Sequence, residues 1–317
     1  MTDRQTPWYV RLVVGFGAWI TAVVAMLLGG AIVLLLLEIE SALALAVIGA
    51  IYLGLGVWLL RQPDARLFAT QMGIATAGAG AALVSAGFAG EAEEVWVALP
   101  VSAAIAVMIF LVTTNRTLQF LAAALVAAVF VITLETERVP YALDIVALAT
   151  PVGVYLLMNP REREVGPAAL VLLLVFPLYS IFIAPDTIWG RDGQIGGWVA
   201  RAVHIALFAW LVLGYRRHRG TGIDEKVIAA IAVAALVCLL LPAGGSAALL
   251  LMTLAYVTGS MTLAALGVVL QAQFIIRYYY SLEMTLLNKS FLLMAVGIVI
   301  LATWWLAQRK EPREMSE

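Results

Sequence analysis

Ser246-Ala-Ala-Leu-Leu-Leu-Met-Thr-Leu-Ala-Tyr-Val-Thr258-Gly259-Ser260-Met-Thr-Leu-Ala-Ala-Leu-Gly-Val-Val-Leu270 runs without a single charge. Read as one helix, it gives the chain eleven membrane spans and puts the two ends on opposite sides. Read as parts of two spans, 245–258 and 260–280, it gives twelve and puts both ends on one side. A span takes about 20 apolar residues, with 17–25 usual, and the first of the two is short. Length therefore leaves the choice open, and charge placement has to settle it.

Working outward between charge- and turn-rich breaks, the apolar runs are 12–37, 41–60, 67–90, 95–113, 118–134, 141–158, 167–184, 197–215, 227–242, 245–258, 260–280 and 284–307. With the N-terminus inside and twelve spans, fourteen Lys and Arg lie on the inner side. Only Arg138, Arg191, Arg201, Arg277 and Lys289 lie towards the outer side. That is a strong positive-inside bias. Eleven spans would place the basic tail Gln308-Arg309-Lys310 outside, against it. Trp8, Trp58, Trp210, Tyr215, Trp304 and Trp305 fall at inner ends, and Trp96, Tyr141, Trp189, Trp198 and Tyr278 to Tyr280 at outer ends, as an aromatic belt requires. The expected fold is all-α: a polytopic integral membrane bundle of about twelve transmembrane helices with both termini cytoplasmic.

Composition agrees. Apolar residues make up 63% and charged residues 12%, against about 45–50% and 25% in a soluble domain. No loop is long enough to fold by itself, so 1–317 reads as a single transmembrane domain, and span counting allows a six-plus-six division near 159–166. The first run is too long for a signal-peptide core and reads as a retained span. Net charge is −1 and no basic block is long enough for nucleic acid. Cys238 lies in an apolar run and reads as a buried, inert thiol. His204 and His218 sit in different segments without Cys or His neighbours, so neither a metal site nor a cofactor is expected. The third span is rich in small residues (Gly73, Ala77, Gly78, Gly80, Ala81, Ser85, Gly87), as close helix contact in lipid requires. Pro100, Pro151 and Pro177 are expected to kink their spans.

Two sets of polar residues stand out, because charges near a span need pairing, snorkelling or a wet cavity. The first is Asp144, Arg201 and His204, with Arg201 and His204 on one face of a helix at i and i+3. It reads either as an ion-pair and histidine relay lining an outward cavity or as a structural pair joining two helices. The second is Arg277, Tyr279, Tyr280, Glu283, Thr285, Asn288 and Lys289 around the last hairpin. Ser281 can cap the last helix, with Glu283 in its first turn and Lys289 about two turns in, roughly 10 Å along the axis. Capping and snorkelling explain it, as does a notch for an anion or headgroup. Gln71, Gln271 and Gln273 read as interhelical glue. The acidic loops (Glu38, Glu40; Glu91, Glu93, Glu94; Glu135, Glu137) form a solvated face or a docking surface.

None of the sequence signatures of serine hydrolases, zinc proteases or phosphate-binding loops appears. The closing motif Tyr279-Tyr280-Ser-Leu-Glu283-Met-Thr285-Leu-Leu-Asn288-Lys289-Ser290 and the opening Trp8-Tyr9-Val-Arg11-Leu-Val-Val-Gly15-Phe-Gly17-Ala-Trp19 resemble a bacterial inner-membrane family catalogued as domain of unknown function 4401. The resemblance covers the whole chain. It implies a multi-pass protein of the bacterial inner (cytoplasmic) membrane and, as a partner, a small periplasmic envelope protein carrying a Gly-Asp-Tyr-x-x-Leu-x-Tyr motif. The expected function is non-enzymatic translocation of a small solute or lipid through a cavity opening to the periplasm. The alternatives are a membrane scaffold of an envelope complex and an enzyme acting on a lipid-linked substrate. Reporter fusions at Asn159, Arg219 and Arg309 should read cytoplasmic, and those at Glu91 and Asp192 periplasmic. A periplasmic reading at Arg309 would restore the eleven-span count.

Overall fold

A computed structural model describes residues 7, 9–10, 13–24, 41–62, 67–159, 166–182, 197–218 and 243–281, with isolated positions between 231 and 238 and between 287 and 298. Among the described residues every regular element is helical. They are α1 (Val13–Val24), α2 (Ala42–Arg61), α3 (Leu67–Ala92), α4 (Ala98–Val112, entered through a 3-10 turn at Val95–Val97), α5 (Arg116–Thr136), α6 (Ala142–Ala147), α7 (Ala149–Met158), α8 (Gly166–Phe182), α9 (Trp198–His218), α10 (Ala243–Thr258) and α11 (Met261–Ser281). Among the described residues, five helical stretches are long and apolar enough to cross a membrane: Ala42–Arg61, Leu67–Ala92, Val95–Val112, Arg116–Thr136 and Trp198–Arg217. The other apolar helices are shorter within the described residues. Most of the expected spans at 227–242 and 284–307 lies outside the described residues.

The stretch at 246–270 is two helices. Gly259 takes a left-handed conformation (φ +69), and the Ser260 N–H donates to the Ala255 carbonyl at 3.1 Å. This is the Schellman arrangement, in which a residue with φ above zero ends a helix and ties off its last carbonyls; glycine adopts it without strain. Ser260 Oγ then accepts from Leu263 N–H at 3.4 Å and opens α11. α10 and α11 pack against each other along their length, with Gly267 beside Met252 and Ala248.

Other ends are closed equally locally. Asn115 Oδ1 accepts from Thr117 and Leu118 N–H at 3.1 and 3.0 Å to start α5, and Ser41 Oγ accepts from Leu43 N–H to start α2. The prolines behave differently from one another. Pro100 and Pro151 fall in the first turns of α4 and α7, where the missing N–H has no partner to lose. The sixth expected span is broken at Leu148, between α6 and α7: a continuous helix would need Pro151 to donate to Ala147, so a new helix starts at Ala149 and takes the proline in its first turn. Pro177 is accommodated inside an unbroken α8.

α2 and α3 form the tightest helix pair. Gly49 and Gly56 on one, and Gly73, Gly80 and Gly87 on the other, recur every seven residues, which is two turns and so one stripe. A Cβ on Gly80 would lie 2.4 Å from Leu53 N, and one on Gly56 2.4 Å from Ala77 N. The backbones are therefore in direct contact, and α3 is the most enclosed of the five long helices. Trp19 of α1 donates its indole N–H to Gln71 at 3.3 Å, so Gln71 does join two helices.

Three apolar clusters hold the rest. One joins α2 to α5 around Ile109 and Leu118. A second joins α7, α8, α9, α10 and α11 around Leu173, Leu211 and Leu254. The third, around Val146, Phe176, Ala200 and Ala247, ties α5, α6, α8, α9 and α10 together. Cys238 is buried, as expected. Gly80→Val should lower thermal stability in detergent by about 1–3 kcal/mol or more, since no flexible side chain can yield. Gly54→Ala, with open space around it, should be neutral or stabilise by up to about 1 kcal/mol.

Candidate functional site

The polar residues at 144, 201 and 204 converge where the third cluster closes. Asp144 lies in the short α6, which begins after Tyr141 in a left-handed conformation (φ 62). The Asp144 side chain is buried, and its Oδ1 accepts a hydrogen bond from Ala200 N–H at 3.0 Å. Ala200 is in the first turn of α9, so the carboxylate caps that helix from another element. The positive end of the helix dipole favours a negative charge there. Arg201 follows directly. Its guanidinium sits over the Trp198 ring, 5.1 Å from the centroid, within cation–π range. Its Nε is buried and has no hydrogen-bond partner among the described residues.

One turn on, His204 is 0% exposed. Its Nδ1 shares a 2.7 Å hydrogen bond with Ser246 Oγ of α10, and its ring meets Phe176 of α8 edge to face at 4.9 Å. Its Nε2 is buried without a partner among the described residues. One imidazole thus touches two neighbouring helices, with half of its hydrogen-bonding capacity unmet among the described residues. A hydroxyl and an imidazole at this distance are the atoms of a nucleophile–base pair, but both side chains are enclosed and Phe176 covers the ring.

Of the second set, Arg277 donates through Nη1 to the Ile181 carbonyl. It therefore closes the last turn of α8, where a cation is favoured. Tyr280 is 77% exposed. The Tyr279 side chain, Glu283, Thr285, Asn288 and Lys289 lie outside the described residues. Arg277 is not brought to the first set by any contact shown here.

Several of the acids have specific partners. Glu91 Oε2 accepts from Ser41 Oγ at 3.0 Å and from Leu43 N–H at 3.2 Å, holding the start of α2 to the end of α3. Glu94 accepts from the Trp96 indole, and Glu135 from the Tyr179 hydroxyl. Gln271 differs from Gln71: its buried Oε1 has no partner among the described residues. Sequence reading missed Ser246, Phe176 and the Tyr179–Glu135 pair. A serine in a first helical turn reads as a cap, and a lone aromatic in an apolar run carries no polar signal. Among the described residues no three His, Cys, Asp or Glu side chains are grouped to hold a metal.

The architecture defines a helical membrane protein with buried polar joints. The family model described as Domain of unknown function (DUF4401) matches residues 7–310, and the chain belongs to that family. No curated protein and no solved structure matches it.

If Asp144 acts as the cap of α9, Asp144→Leu should cost about 1–3 kcal/mol by leaving Ala200 N–H buried and unbonded. Asp144→Asn keeps an acceptor and should retain most of the stability in thermal unfolding. Equal damage from both would mean that the charge, rather than the cap, holds the junction.

Proposed function

We propose that this is a twelve-span bacterial inner-membrane protein, both ends cytoplasmic, that translocates a small solute or lipid along a path opening on the periplasmic side at the junction of α6, α9 and α10. The observation that carries this reading is the pair of buried polar atoms without a partner among the described residues, Arg201 Nε and His204 Nε2, one turn apart on α9. In a low-dielectric interior each unmet hydrogen bond costs about 1–3 kcal/mol, and in lipid water cannot relieve it. A helix that keeps two such atoms on one face retains capacity for something that enters.

A second reading, a membrane scaffold with a small periplasmic envelope protein as partner, is favoured by Asp144 and Arg277. Both close the ends of neighbouring helices, as joints of a permanent frame would. Cysteine accessibility separates the two. In a Cys238→Ser background, His204→Cys should react with a membrane-impermeant thiol reagent added from the periplasmic side, as should the outer control Glu91→Cys. Labelling at 91 without labelling at 204 would favour the scaffold and defeat the carrier.

A further inference from the structure

Two apolar grooves run along the seam where α5 packs on α8, and both are lined by Ala127, Val171 and Val175. The larger, about 580 Å³, lies where α4 and α8 each pack on α5 without substantial contact with one another. The smaller, about 270 Å³, follows α5 and α8 and reaches Tyr179 and Phe182. The Tyr179 hydroxyl donates to the carboxylate of Glu135, whose side chain is exposed.

We propose that this seam binds one membrane phospholipid, its acyl chains in the two grooves and an ammonium-bearing headgroup at Glu135. The occupant follows from where the grooves lie. α5 is long and apolar enough to cross a membrane, so its open face meets hydrocarbon. Tyr179 is the one polar side chain among the residues that line the two grooves. Along α5 the smaller groove covers Phe120 to Ile132, about 18 Å at 1.5 Å per residue, against about 15 Å for half of a 30 Å hydrocarbon core. The next turn of α5 brings Glu135. One leaflet's length of apolar surface ending at the exposed carboxylate of Glu135 is complementary to an acyl chain ending in a cation. A carboxylate that already accepts from Tyr179 keeps further lone pairs for an ammonium group and repels an anionic headgroup.

The inference deepens the carrier reading, on which it rests for the periplasmic position of the Glu135 end, by naming a lipid as the substrate class. The binding itself can be tested alone. Full-length protein in nanodiscs would be irradiated with diazirine-acyl phospholipids bearing ethanolamine or glycerol headgroups, and the labelled peptides mapped by mass spectrometry. Label should concentrate on α5 and α8 several-fold over α2 and α9, and the ethanolamine lipid should label several-fold more than the glycerol one. Ala128→Trp, at an exposed position lining the smaller groove, should lower the α5 and α8 label several-fold. Glu135→Gln keeps an acceptor for Tyr179 and should remove the headgroup preference alone; it decides the matter if the tryptophan variant does not fold. Label spread evenly over the lipid-facing helices, or equal for both headgroups in the wild type, overturns the proposal. An unreactive His204→Cys would defeat the carrier reading and leave this labelling pattern standing.

Discussion

A helix that ends in or near hydrocarbon exposes four N–H or four C=O groups that water cannot reach, and each left unmet is costly. This chain meets many of them with side chains borrowed from other helices. Asp144 of α6 closes the start of α9, Arg277 of α11 the end of α8, Glu91 of α3 the start of α2, and Arg61 of α2 the end of α4 through the Val112 carbonyl at 3.4 Å. Each such bond fixes a neighbour as well as an end. With only 12% of its residues charged, the protein places several of these charges at points that order the bundle.

Between those points the packing follows the rules of lipid rather than water. Where no hydrophobic force draws helices together, close backbone approach and dispersion must do it. The α2–α3 seam uses glycine at every seventh position for that purpose. The α5–α8 seam uses larger side chains and leaves apolar grooves beside it. The bundle thus combines one closely packed seam with one that is grooved. The buried histidine stands between α8 and α10, against Phe176, which shares the third cluster with Tyr179.

The candidate site was only half legible. Arg201 and His204 could be placed on one face from their spacing, and Asp144 could be singled out as a charge in an apolar run. Their partners could not. Asp144 bonds the backbone of Ala200, and backbone groups look alike in a sequence. His204 meets Ser246 and Phe176 from helices far along the chain, and pairings at that separation depend on how helices are rotated about their axes. Glu91 and Glu135 read as solvated loop acids, yet both accept specific hydrogen bonds.

For the fold, an apolar majority and long uncharged runs determined on their own that the chain is a bundle of membrane helices, because only structures that satisfy their backbone internally survive in lipid. The small-residue pattern of α3 likewise foretold a close-packed helix, since no other residue type permits that approach. The division at Gly259 was written in the sequence but needed geometry to settle it: glycine permits a helix to end and does not oblige it to. The break at Leu148 follows from Pro151, but the identity of every partner at the polar joints was decided by tertiary structure alone. Those partners depend on which faces meet, and a helix that is apolar all round carries no mark of which side will be turned inward.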